Sequence, residues 1–204
     1  MTVTVHQGDL PADLSFGSAV AIDTETMGLK PGRDRLCLVQ LSAGDGNAHI
    51  VQLKAGQYAA PNLKKLLTDK NVTKIFHFGR FDIAAMWAYL SVLTEPVYCT
   101  KIASRLARTF TQHHSLKTLC SDLLDVSLDK QQQTTDWGAD ELTPAQIQYA
   151  ASDVLYLHKL RDALNVMLVR EKRDALAQAC FSFLPHRALL DISGWEEEDI
   201  FAHS

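Results

Sequence analysis

The stretch Val20-Ala21-Ile22-Asp23-Thr24-Glu25 limits what this chain can become more than any other. It reads as an apolar strand over residues 19–23 that runs into two carboxylates. Successive strand side chains point to opposite faces, so Asp23 and Glu25 share one face. Side by side they repel each other. A divalent cation between them relieves the repulsion, and hard cations such as Mg²⁺ take a few protein carboxylates together with substrate phosphate. A solvated strand end accounts for the pair equally well. Two more carboxylates in suitable settings, Asp82 and Asp153, favour the cation.

Four more strands can be read around this one. Residues 36–42 alternate loosely as a second strand. Gly44-Asp45-Gly46-Asn47 is a hairpin turn, and residues 48–53 form a third strand. Residues 73–78 and 96–99 are the fourth and fifth, and residues 1–18 are a polar lead-in whose start, residues 3–6, is strand-like. Helices are expected after Pro61, over residues 81–90 with Ile83, Met86, Trp87 and Leu90 facing inward, through Arg108 with Thr100 as its cap, and over residues 115–124. Residues 127–140, with Gln131 to Gln133, read as a polar surface loop of the kind that carries function. A further helix covers residues 175–184. Three strands on short turns, then alternating helices and strands, predict a mixed five-stranded α/β sheet flanked by helices, in one domain over residues 1–204.

The best-marked helix starts at Thr143-Pro144-Ala145-Gln146, a hydroxyl N-cap with proline first and glutamine third. No breaker interrupts it before Arg170. Tyr149 and Asp153 stand at i and i+4 on it. They border the apolar stripe of Ile147, Ala150, Val154, Leu157 and Leu164, so the helix presses them toward the sheet, where a carboxylate needs a partner. Asp82 follows the fourth strand in His77-Phe78-Gly79-Arg80-Phe81-Asp82. A carboxylate in a helix's first turn suits the macrodipole, and strand ends of α/β sheets are also where ligands bind. His158 is read as a surface or core histidine.

Composition narrows the field. A net charge of −4 and a pI near 6.0 lack the basic excess of a protein that coats long duplex. Lys101, Arg105 and Arg108 lie at helical spacing, as a basic stripe or a solvated face. Cys37, Cys99, Cys120 and Cys180 are scattered among apolar neighbours without a CxxC pair, which predicts reduced core cysteines. No apolar run is long enough to span a bilayer, and residues 1–10 lack a signal pattern, so a cytoplasmic location and no membrane partner are the expectation.

Asp23-Thr24-Glu25, Asp82, and Tyr149 with Asp153, in that order, resemble the motifs of the DEDD exonuclease superfamily, in its ribonuclease D branch with tyrosine in the third motif. His114-Ser115-Leu116-Lys117 and Thr135-Asp136-Trp137 resemble ribonuclease D segments, and the match runs over most of the chain. The resemblance implies a ribonuclease H-like fold. The length and the ending, Phe183-Leu184-Pro185 and Gly194-Trp195 onward, look most like the short bacterial nanoRNase C (NrnC) group, without the accessory helical nucleic-acid-binding domains of ribonuclease D.

What the resemblance implies is a 3′–5′ exoribonuclease acting on dinucleotides and very short RNA, releasing 5′-mononucleotides, and a homo-oligomer of eight chains. It implies two divalent cations, Mg²⁺ or Mn²⁺, with Asp23 bridging both, Glu25 and Asp153 completing the first site, and Asp82 acting mainly on the second. Tyr149 would orient the attacking water. A tyrosine pKa of about 10 makes it a poor base at neutral pH, so water activation falls to the metal. Leu29 is either a wedge between two bases or a core leucine in a turn. His77 is a candidate substrate contact, and Lys130, Gln133 and Thr134 are candidates for a 5′ phosphate. Asp122, Asp125 and Asp136 are assigned to helix ends and loops. Two other functions compete: a broader exonuclease trimming RNA or DNA 3′ ends, and a catalytically silent binding module on the same fold. The retained acids and tyrosine argue against the silent module.

Overall fold

A computed structural model describes residues 1–128 and 135–203. In chain order the elements are β1 (Val3–Gln7), β2 (Ala19–Thr26), β3 (Leu36–Ser42), β4 (Ala48–Gln52), α1 (Pro61–Thr68), β5 (Thr73–Phe76), α2 (Arg80–Leu90), β6 (Val97–Cys99), α3 (Thr100–Ala107) and α4 (Leu116–Leu124). Then come α5 (Pro144–Leu155), α6 (Leu157–Arg170) and α7 (Asp174–Leu190), which ends in a π-helical turn, Asp191–Trp195.

The sheet has six strands rather than five, in the order β1-β4-β3-β2-β5-β6. The sixth is the lead-in, which pairs parallel to β4 from Val3↔Ala48 to Gln7↔Gln52. Its alternation is too short to separate an edge strand from a polar start. β2, β3 and β4 form an antiparallel meander, while β5 and β6 join parallel to β2. β2 is thus central. Ala19 to Ile22 are all buried, because helices cover both faces of the sheet there.

The hairpin between β3 and β4 depends on two glycines at positive φ, Gly44 and Gly46. At Gly44 a Cβ would come within 2.7 Å of the His158 ring, so the turn also needs the missing side chain. His158 donates from Nε2 to the Ser42 carbonyl at 3.1 Å, which pins α6 to the hairpin. It is a packing residue, as its sequence context suggests.

The long helix expected from 143 to 170 is two helices. Tyr156 (φ −106°, ψ −6°) separates them. No proline or glycine marks the break. Its cause is tertiary: α5 lies across β1 to β4, whereas α6 turns to pack on α3 and β5. The last helix is longer than expected. It passes through Pro185 instead of stopping at 184, because Phe181, Leu184, Pro185 and Ala188 all stay buried on that path. Trp87, expected inward, is 37% exposed; α2 is apolar nearly all round, so periodicity could not choose its outer face.

Lys74 is a fully buried lysine at the start of the β5 pairing. Its ammonium donates to the carbonyls of Asp69, Val72 and Glu95 at 2.7, 2.8 and 2.6 Å. That satisfies all three of its donors and ties the loop before β5 to the loop before β6. All four cysteines are thiols, three buried and Cys180 partly so. Among the described residues, no helix is long and apolar enough to cross a membrane.

Candidate active site

The site lies at the C-terminal end of β2. Asp23 and Glu25 leave that strand on one face. The antiparallel register puts Leu38 opposite Glu25 and Gln40 opposite Asp23. Ile50 continues this face on β4, and α5 covers it through Ala150. The reciprocal cap at Thr143 and Gln146 fixes where α5 begins, with Thr143 Oγ1 accepting from the Gln146 N–H at 3.2 Å and Gln146 Oε1 accepting from the Thr143 N–H at 2.9 Å. Two turns on, Tyr149 and Asp153 meet the strand end.

Asp23, Glu25 and Asp153, all half-buried, bring carboxylate oxygens within 4.8 Å of one another. Asp82 arrives from the first turn of α2, buried, and accepts at 2.6 Å from the Thr24 hydroxyl. Thr24 sits between the two β2 acids and so faces the other way. The strand therefore carries two acids on one side and the tether for a third acid on the other. The four acids and the tyrosine expected to act together do come together.

The electrostatics are those of a site built for positive charge. Burial pushes the Asp23 carboxyl well above the usual carboxylate range, and Asp82, Asp153 and Glu25 add to the push. Glu25 rises to about 9, by burial first and then by Asp153 and Asp82. Burial raises Asp82 to about 7, against the opposing pull of its Thr24 hydrogen bond. Two unit charges 4.8 Å apart repel by about 3.5 kcal/mol at an effective dielectric of about 20. Three such pairs approach the whole net stability of a domain, roughly 5–15 kcal/mol. Closely set oxygen donors of this kind suit a hard divalent cation, and the residues fit such a group.

Burial also raises the Tyr149 hydroxyl far above its ordinary value, helped by Asp153, Glu25 and Asp23, and the hydroxyl donates to Asp153. It stays a proton donor at neutral pH. The Trp137 ring lies 5.9 Å from the Tyr149 ring, tilted by 37°, and is buried beneath it. The segment bearing Trp137 is held by Gln146 Nε2, which donates to the Asp136 carbonyl at 3.0 Å, and by Arg35 Nη2, which donates to the Gly138 carbonyl at 2.9 Å.

Leu29 is 82% exposed, which removes the core reading. Its loop is closed by Asp34, which accepts from the Lys30 N–H at 3.0 Å and pairs with Arg33. A Cβ on Gly28 would collide with the Asp34 carboxylate, so glycine is needed for that closure. His77 follows β5 near Asp82. Thr100 Oγ1 donates to the Phe76 carbonyl at 3.1 Å, so at 2.9 Å it must accept from His77 Nδ1–H, which fixes the tautomer. Lys130, Gln133 and Thr134 lie outside the described residues.

The basic stripe does not form. Arg108 is buried and paired with Asp122, Lys101 sits 4.3 Å from the centre of the Phe78 ring, and only Arg105 is freely solvated. Spacing along α3 placed the three on one line; the partner from α4 could not be read from it. Asp125 ends α4 in the left-handed region, and Asp136 accepts from the Gly138 N–H at 2.9 Å, both as assigned. The roles of Thr24 and Thr100 were missed. Thr24 was findable, since strand parity already turned it away from its neighbours. Thr100 does not cap α3 as expected: Cys99 stands at the N-cap, Thr100 is the first helical residue, and its hydroxyl turns to the Phe76 carbonyl and His77 instead.

The raised carboxyl groups have a consequence for stability. A carboxyl whose folded-state pKa lies above its unfolded value binds more protons when folded, so stability falls as pH rises between the two. For Glu25 the window runs from 4.5 to about 9. Without divalent cations the melting temperature should fall from pH 5 to pH 8 by at least about 3 °C, and Glu25→Gln should flatten that slope. A parent slope that is absent, or unchanged in the variant, contradicts the geometry.

A family model described as 3′–5′ exonuclease matches residues 8–169. Brucella melitensis NrnC with bound Mg²⁺ is 56% identical, covers 100% of both chains and superposes with a TM-score of 0.96. The same protein bound to pGG is 57% identical, with a TM-score of 0.97. Ribonuclease D of Acidiphilium cryptum is 36% identical over 154 residues, 76% of this chain and 39% of that protein. DNA polymerase I of Aquifex aeolicus is 37% identical over 148 residues, 71% of this chain and 24% of that protein. The chain thus spans well under half the length of these two relatives.

Proposed function

The chain belongs to the 3′–5′ exonuclease family, in its ribonuclease D-like, NrnC-type branch, and on that premise we propose that it hydrolyses dinucleotides and very short RNA to 5′-mononucleotides with two divalent cations, Mg²⁺ or Mn²⁺. The convergence of Asp23, Glu25, Asp82 and Asp153 at one strand end carries this reading. Bound there, the cations would supply an activated water and stabilise charge on the scissile phosphate.

The chain's own residues do the rest. Asp23, which feels all three other acids, would be shared between the ions. Glu25 and Asp153 stand with it in the closest cluster and would hold the first. Asp82, set apart on its Thr24 tether, would serve the second. Tyr149 would orient the attacking water through its hydroxyl and keeps its proton throughout. Exposed Leu29 would wedge between the two bases, and His77 would meet the substrate beside Asp82.

The preference for short substrates is supported by the likeness to NrnC bound to pGG and by the absence of a basic stripe along α3 among the described residues. A homo-oligomer, an octamer by family resemblance, in the cytoplasm completes the reading. The likeness to ribonuclease D supports the wider alternative, trimming of longer RNA or DNA 3′ ends.

The assay compares a labelled dinucleotide, a long single strand and a duplex, each with Mg²⁺, with Mn²⁺ and with EDTA. Cleavage fastest on the dinucleotide and abolished by EDTA is expected. Equal rates on all three lengths would remove the short-substrate claim, and full activity in EDTA would remove the cations. Tyr149→Phe should lower kcat by ~10²-fold, the cost of a misplaced nucleophile, and leave Mg²⁺ affinity unchanged. Parent-like kinetics would reject its role.

A further inference from the structure

Gln40 lies mid-way along β3 and is wholly buried, and neither Oε1 nor Nε2 of its carboxamide has a hydrogen-bond partner among the described residues. Buried amides are nearly always paired, and an orphan destabilises a fold that leucine in the same space would not. Its surroundings narrow where a partner can be. The face of β3 that carries Gln40 also carries Leu38 and Ser42. Leu38 is apolar. The Ser42 hydroxyl already donates to the Asn47 carbonyl at 2.7 Å and accepts from the Gly44 N–H at 3.2 Å. On β4 the residue opposite is Ile50. Over this face α5 buries Ala150. On β2 the residue opposite is Asp23. Directly paired residues in an antiparallel ladder share a face, with Cβ atoms about 4.5–5.5 Å apart. A glutamine side chain can span that gap. Among the side chains paired with or flanking Gln40 on this face, the Asp23 carboxylate offers the most acceptor capacity, since the Ser42 hydroxyl has a single lone pair left.

We infer that Gln40 is a positioning residue for the site: unpaired as the chain stands, its carboxamide donates to the Asp23 carboxylate when cations are bound and holds it in the orientation from which it serves them. The inference rests on the function proposed above. Asp23 is the acid the other three surround, and it stands on a strand rather than on a helix turn. Its side chain has few rotamers, and small rotations carry its oxygens away from Glu25 and Asp153. A donor fixed in the neighbouring strand selects one of them. The same donor costs stability whenever it is unpaired, which separates this role from ordinary core packing.

Gln40→Leu removes the amide at similar volume. Titration calorimetry with Mg²⁺ alone, thermal melts in EDTA, and dinucleotide kinetics at saturating Mg²⁺ are read on the parent, Gln40→Leu and Gln40→Asn. In EDTA, Gln40→Leu should melt at or above the parent temperature. Its Mg²⁺ affinity should fall by about tenfold, and kcat should fall with KM within about twofold. Gln40→Asn, which keeps the donor, should recover part of the affinity. Parent-like Mg²⁺ affinity and kcat in Gln40→Leu would overturn the inference. So would a loss of melting temperature that matches the loss of affinity and is not relieved by asparagine. If the leucine variant fails to fold, Gln40→Met carries the same comparison. A parent that binds no Mg²⁺ would sink the proposed function itself, which keeps the two failures apart.

Discussion

Mutual repulsion among buried carboxylates is the constraint on which the rest of this structure depends. Three acids with oxygens within 4.8 Å of one another, and a fourth tethered to the same strand, cannot all be ionised in a half-buried setting without positive charge among them. The fold holds them there regardless. It does so with groups that have nothing to do with charge: a central strand buried on both faces, a capped helix lying across it, and a hydroxyl facing the opposite way. Energy stored in that arrangement is what makes it a receptor for cations. A solvated strand end, the plainer reading of Asp23 and Glu25, would not have been built into the centre of the sheet.

Much of the scaffold serves to keep this strand end in register. The hairpin that pairs β3 with β4 is closed by glycines and clamped by His158 from α6. The segment carrying Trp137 is bonded to the cap of α5 and to Arg35, so the tyrosine rests on a fixed surface. Lys74 ties the loop before β5, the strand from which Asp82 is launched, to the loop before β6. Each device sits one element away from the acids. The chemistry is local, and the means of holding it are spread over the chain.

Those two levels differ in how far they could be read in advance. Strand parity paired Asp23 with Glu25 and the i, i+4 spacing paired Tyr149 with Asp153, because both rules are geometric and independent of tertiary context; that Asp82 joins them was implied by the resemblance to the exonuclease motifs, not by spacing. The first strand was legible as a strand-like start at residues 3–6, but its place in the sheet was not, since five residues at an edge alternate too little to show what they pair with. The break at Tyr156 was equally hidden. Nothing in Leu155-Tyr156-Leu157 disfavours a helix, and the turn comes from what the two halves pack against. Arg108 looked like part of a solvated line because its partner, Asp122, comes from another helix. Contacts between distant segments are where local pattern gives out.

The central claim is that these acids hold a pair of cations at one place. Crystals soaked in Mn²⁺, with data collected at the manganese absorption edge, test it most directly. The account predicts two anomalous peaks, one bounded by Asp23, Glu25 and Asp153 and the other between Asp23 and Asp82. Manganese bound elsewhere with none at this strand end, in crystals that have taken up the ion, would contradict it.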